Sequence, residues 1–357
     1  MPPLEAWQKV LVGESFMGTI HGGLSCVDCH SGDASPQTFE TAHVGITADP
    51  ASGSATSCGI CHGSVGTKHQ TSLHGSLEGY KQTIRTRSGQ ATLSPELNAM
   101  FDAKCATCHT SCGQCHISRP DAVGGGFNAG HVFIEKPSMT LNCTACHGSR
   151  IGEEFRGLHE GIPADTHYNR GMQCTACHNA DEIHFAGGSA ANRYSIAEAP
   201  RCEDCHEVGA ENAYHLQHKD DMSCQVCHSQ EYKNCYNCHV GTEESGIQQP
   251  SELDFKIGKN PLKSARRPYG YVLLRHIPIA PDSYEEWAPG QLTNYEALPT
   301  WKMTTPHNIQ KNTPQTANCT SSCHNNTELF LTRDDILKLS PQEQAANRDV
   351  VVDKVPE

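Results

Sequence analysis

The sequence predicts a chain that is mostly coil with short α-helices and little β structure, packed around something other than its own apolar side chains. Three observations lead there. Leu, Ile, Val and Phe number 20, 16, 15 and 9 in 357 residues, about 17% together, a level at which a bare polypeptide buries too little surface to offset its ordering entropy. Gly (31) and Pro (20) are abundant and the mean hydropathy is −0.53, which disfavours long regular elements. All twenty cysteines fall into ten pairs, and each pair is followed at once by a histidine.

Nine pairs read Cys-x-x-Cys-His, with the residues Cys26, Cys29 and His30; Cys58, Cys61 and His62; Cys105, Cys108 and His109; Cys112, Cys115 and His116; Cys143, Cys146 and His147; Cys174, Cys177 and His178; Cys202, Cys205 and His206; Cys224, Cys227 and His228; and Cys235, Cys238 and His239. The tenth is stretched by one residue, Cys319-Thr-Ser-Ser-Cys323-His324. Two thiols add to the vinyl groups of one haem while the adjacent imidazole binds its iron, so this spacing is the attachment signature of haem c. In a helical turn, side chains at i, i+3 and i+4 share a face, which lets both sulfurs and the ring meet one macrocycle. A zinc site needs a tetrahedral set but no His directly after each second Cys, and a disulfide needs no His at all. The expectation is ten haem c groups, with the stretched copy the least regular.

Ten covalent porphyrins change the packing balance, because each is a flat apolar body larger than a Trp side chain. The predicted fold is therefore short helices and coil wrapped around a packed haem array, with the haem-free chain unfolded. Formal charge is −13 with neutral histidines, and each ferric haem with ionised propionates adds about one further negative charge. An acidic surface argues against nucleic acid and anionic membrane as partners. No apolar run is long enough for a membrane span. Residues 1–20 lack the apolar centre of a signal peptide. Haem attachment to Cys-x-x-Cys-His resembles the maturation of c-type cytochromes, which runs outside the cytoplasm, and implies an exported protein, periplasmic or extracellular, whose signal peptide is not in this numbering.

The motifs divide the chain into residues 1–245, a haem-dense region with nine haems, and residues 246–357, a C-terminal lobe with the last haem and a partly helical tail. Ser94-Pro95-Glu96 reads as an N-cap with Pro at the first helical position, starting a helix that runs into Cys105. His109 and Cys112, and again His228 and Cys235, are so close in sequence that their haems are expected side by side. The lobe holds Trp287, Trp301, Tyr269, Tyr271, Tyr284 and Tyr295, and its run Tyr269 to Ile279 is the most strand-like in the chain. Ser340-Pro341-Gln342-Glu343 fits a capping box.

Of 22 histidines, twelve lie outside the motifs. Ten irons each want a sixth ligand, and an imidazole suits it. The distal candidates are His21, His43, His74, His131, His159, His167, His184, His215, His218 and His307, with His69 and His276 weaker. His21, His167 and His218 each sit shortly upstream of a motif, and His307 is the natural partner for the C-terminal haem. His215 and His218, three apart, serve two haems only if those haems lie close together.

These motifs resemble those of the multihaem c-type cytochromes of anaerobic respiration, from about residue 21 to 324. That resemblance implies an electron carrier rather than an enzyme, conducting through closely spaced bis-His haems to redox partner proteins or extracellular electron acceptors. Some members of the group are periplasmic, some sit in outer-membrane conduits, and some self-associate into extracellular filaments in which a His of one subunit ligates a haem of the next. The alternative is a multihaem oxidoreductase of nitrogen or sulfur oxyanions with one open-site haem. Related reductases often replace the motif His by Lys, whereas all ten motifs here end in His.

Overall fold

The computed structural model describes residues 12–35, 38–51, 56–106, 110–184, 192–209, 212–235, 250–252, 254–277, 285 and 287–357. Short helices, turns and connecting segments dominate, and the longest helix, Glu78–Ser88, has 11 residues. The expected helix forms over Pro95–Lys104, and Ser94 Oγ accepts the Leu97 amide at 3.2 Å, as an N-cap does. The chain divides into two compact units. One comprises Met1–Gly79, Phe101–His147 and Cys174–Ala199; the other comprises Tyr80–Met100, Gly148–Gln173 and Pro200–Glu357. This division is not the one at residue 245 that motif density suggests, because segments far apart in sequence come together within each unit.

The first unit is poor in apolar core. Its buried hydrophobic side chains among the described residues are Leu77, Phe101, Met139, Ile196 and Ala199. The second unit contains the β structure. Strands β1 (Lys233–Cys235) and β2 (Pro250–Glu252) pair antiparallel. A separate antiparallel sheet runs in the order β3 (Phe255–Lys259), β4 (Tyr271–His276), β5 (Trp301–Met303), with Ile257 opposite Leu273 and Leu274 opposite Met303. Val272, Leu273 and Leu274 are buried in succession, so both faces of β4 are covered. Ile257 and Leu273 pack with Val226, Phe330 and Val352. Gly258 permits this packing, since a Cβ there would collide with the Leu274 side chain and the Val350 carbonyl. The strand-like run is thus a strand over Tyr271–His276; Ile279 and Tyr284 lie outside the described residues.

The tail is capped as its sequence suggests. Ser340 and Glu343 exchange hydrogen bonds at the start of helix Pro341–Asn347, each 3.2 Å long. Asp335 does the same one helix earlier, accepting from the amide and hydroxyl of Thr332 at 2.8 Å each, and pairs with Lys256 at 2.9 Å. Burial raises the Asp335 pKa, but the Thr332 and Lys256 interactions together carry it below the usual carboxylate value. A lowered carboxylate pKa contributes stability that is full above its unfolded value and fades as pH falls through its folded value. Asp335→Asn is expected to cost the second unit about 1 kcal/mol near neutral pH, with the gap to wild type closing in acid. Denaturant unfolding at two pH values checks both parts.

Candidate haem-ligation sites

The attachment motifs form single tight turns. Cys26–His30, Cys112–His116 and Cys224–His228 are five-residue α-helices, each preceded by a serine in extended conformation. Ser25 and Asp28 form a capping box, and Ser111 Oγ accepts the Gln114 amide. At the fifth motif a π-turn (Met139–Cys143) leads into helix Thr144–His147. Single 3₁₀ turns carry Cys174–Ala176 and Cys202–Asp204. The stretched motif also closes as a helix, Cys319–Cys323, with the His324 amide bonded to the Thr320 carbonyl at 3.0 Å. Its extra residue moves the second cysteine from i+3 to i+4, which lies on the same face. Cys108, His109, Cys238 and His239 lie outside the described residues, as do the side chains of Cys235 and Cys319.

Seven motif histidines face a histidine from outside the motifs. In the first unit His30 faces His131 at 6.2 Å between ring centres, His62 faces His21 at 6.2 Å, His116 faces His184 at 6.0 Å, and His147 faces His74 at 6.2 Å. In the second unit His206 faces His167 at 5.9 Å, His228 faces His215 at 6.0 Å, and His324 faces His218 at 6.3 Å. An imidazole nitrogen binds a transition metal at about 2.0 Å and lies about 1.1 Å from its ring centre, so two imidazoles trans across one metal put their centres about 6.2 Å apart. Ordinary aromatic contact spans a wider range, roughly 4.5–7 Å, and does not require that each pair join one motif ring to one non-motif ring. Among the described residues no group of three or more His, Cys, Asp or Glu side chains gathers around a bare metal ion. The arrangement is pairwise.

The far nitrogens are held in place. Nδ1 of His30, His116, His228 and His324 bonds to the backbone carbonyls of Thr47 (2.8 Å), Ile134 (2.7 Å), Gln310 (3.1 Å) and Glu357 (2.5 Å). Nδ1 of His178 meets Glu182 at 2.7 Å and that of His167 meets Asp165 at 2.9 Å. A ring that donates Nδ1–H presents Nε2 as its lone pair, the usual way a protein fixes the tautomer of a metal-binding imidazole. Desolvation, then the neighbouring His147, lower the pKa of His74 to about 4, and burial with His116 lowers that of His184. Both rings are therefore neutral at pH 7, as a metal ligand must be. At His178 burial pulls the pKa down, but the Glu182 hydrogen bond and charge, with Cys174, carry it upward overall.

The remaining distal candidates have other neighbours among the described residues. His159 bonds Glu153 through Nε2 at 2.9 Å. His69 Nε2 lies 3.4 Å from the Thr110 carbonyl, and its ring centre is 6.4 Å from that of His184, nearly perpendicular. His276 lies against Trp301 with ring centres 4.9 Å apart and planes tilted by 33°. His307 points Nδ1 at the fully buried Glu154, 3.5 Å away. His43 lies in the turn after helix Phe39–Ala42. His218 faces His324, whereas His307, the candidate from sequence for the C-terminal haem, has Glu154 beside it. The upstream histidines also serve later motifs than the ones they precede. His21 faces His62, His167 faces His206 and His218 faces His324.

Sequence reasoning missed the groups that orient these rings. Glu182, at i+4 from His178, was legible from helical spacing. Carbonyl acceptors such as those of Thr47 and Ile134 carry no residue-type signal.

Compared with known proteins, the chain matches no family model, no curated protein and no solved structure. Among the described residues no helix is long and apolar enough to cross a membrane.

Proposed function

We propose that the chain is a multihaem c-type cytochrome that conducts electrons along about ten closely spaced bis-His haems, in anaerobic or extracellular respiration. The observation that carries this reading is the set of seven motif-to-distal imidazole gaps of 5.9–6.3 Å. Bound haem supplies one-electron chemistry at iron, and two imidazoles place its potential at the low end of the range that axial ligands set. The residues supply the rest: cysteines anchor, paired rings close both axial positions, and carbonyls and carboxylates fix ring tautomers. At these seven motifs a second ring is available for the opposite axial position, which supports a carrier; the oxyanion-reducing alternative requires one open iron. Export to the periplasm or cell exterior follows from this reading, because thioether attachment in c-type cytochromes takes place outside the cytoplasm.

The test is a redox titration of the native protein followed by electron paramagnetic resonance. The expected result is low-spin ferric iron throughout, reduced at negative potentials. A strong high-spin signal that binds nitrite or sulfite would favour the enzyme instead.

A further inference from the structure

Resting on that cytochrome reading, we propose that Asp165 and Glu182 set the order in which the haems of their units fill with electrons. Each is a positioning residue that holds one axial imidazole by a carboxylate. The haem so held has a lower potential than the haems whose rings are held by backbone carbonyls in the same unit.

The described rings are held at Nδ1 in two ways. In the first unit the carbonyls of Thr47 and Ile134 accept from His30 and His116, whereas the Glu182 carboxylate accepts from His178 at 2.7 Å. In the second unit the carbonyls of Gln310 and Glu357 accept from His228 and His324, whereas the Asp165 carboxylate accepts from His167 at 2.9 Å. Each unit therefore holds rings of both kinds. His178 is the motif ring of the sixth haem, and His167 faces His206, the motif ring of the seventh.

Both carboxylates are built into place. Asp165 is buried, and its two oxygens also accept the amides of His167 and Ile309, at 2.6 Å each. Gln310, the next residue, supplies the carbonyl that holds His228, so one short segment positions a carboxylate-held ring and a carbonyl-held ring. Glu182 stands on helix Ala180–His184, four residues after His178. Its side chain is only 11% exposed, and its amide donates to Asn179 Oδ1 at 2.9 Å. The same helix presents His184 to His116, a carbonyl-held ring.

A carbonyl and a carboxylate fix the same tautomer, but they differ in charge. Ferric iron carries one more positive charge than ferrous iron, so a negative charge across the ring favours the ferric state. It also makes the ligating nitrogen more basic, which acts in the same direction. Little water reaches either carboxylate to screen its charge. Hydrogen bonding and burial tune potential without any change of axial ligand. Outer partners of this kind change metal affinity about 10–100-fold. A tenfold change in ferric-to-ferrous preference is about 59 mV for a one-electron couple.

The test is a redox titration of the native, haem-loaded protein read by paramagnetic resonance, with Glu182→Gln and Asp165→Asn alongside and haems counted by mass in each sample. Each substitution keeps an oxygen that can accept from Nδ1 and removes the carboxylate charge. The expected result is that each variant keeps its haem count and spin states. One component, a different one in each variant, moves upward from the low-potential end by about tenfold, or about 59 mV. If one variant does not fold, the other carries the test alone. Unmoved or lowered midpoints, or a shift confined to the high-potential end, overturn the proposal and leave the cytochrome reading intact. A haem lost or turned high-spin with every other midpoint in place marks a purely structural residue and also overturns it. A wild-type sample without covalent haem overturns the cytochrome reading and this proposal together.

Discussion

Replacing His218 by Ala converts one haem from low spin to high spin, and that haem is the one anchored by the stretched motif. The expectation follows from the 6.3 Å gap between the His218 and His324 rings and from the hold of the Glu357 carbonyl on His324 Nδ1. With the imidazole gone, the sixth position is left to water or stays open, and a weaker axial field raises the spin state. About a tenth of the ferric signal moves, while the other haems keep their spectra. His307→Ala leaves the same haem unchanged, since that ring faces Glu154 rather than His324. The pair of variants read by paramagnetic resonance decides between the two histidines. A high-spin haem in His307→Ala, with an unaltered His218→Ala, would reverse the assignment.

The same chain made without haem attachment loses the first unit and keeps part of the second. Among the described residues the first unit buries only Leu77, Phe101, Met139, Ile196 and Ala199 as apolar side chains, whereas the second has the β3–β4–β5 sheet with Ile257, Leu273, Leu274, Trp301, Phe330 and Leu331. Burying one such large side chain contributes about 1.5–3 kcal/mol, so the sheet and its cover can hold together while the first unit cannot. This modifies the expectation from composition, in which the whole haem-free chain unfolds. Hydrogen exchange on a cysteine-free variant should show near-random-coil rates through Cys26–Gly79 and Phe101–His147, with protection surviving in Phe255–Lys259 and Tyr271–His276. Equal protection in both units would mean that the first unit has a core independent of haem.

What the sequence revealed was local, and what it hid was long-range. Cys-x-x-Cys-His is a single helical turn, so its chemistry is complete within five residues and could be read without a fold. The cap at Ser94 and the box at Ser340 and Glu343 were equally legible, because a cap is a contact between near neighbours. Axial pairing is different in kind. His30 and His131, or His218 and His324, are about a hundred residues apart, and nothing in either residue names the other. Nearness in sequence even misled, since His21 lies five residues before Cys26 yet faces His62. The compact units are likewise assembled from segments that the motifs alone do not connect.

The most direct measurement is the intact mass of the native protein under denaturing conditions, where only covalent groups remain. The account predicts the chain mass plus ten haems, with the tenth carried on Cys319 and Cys323. A mass equal to the polypeptide alone, from a protein that is nonetheless folded in both units, would contradict it.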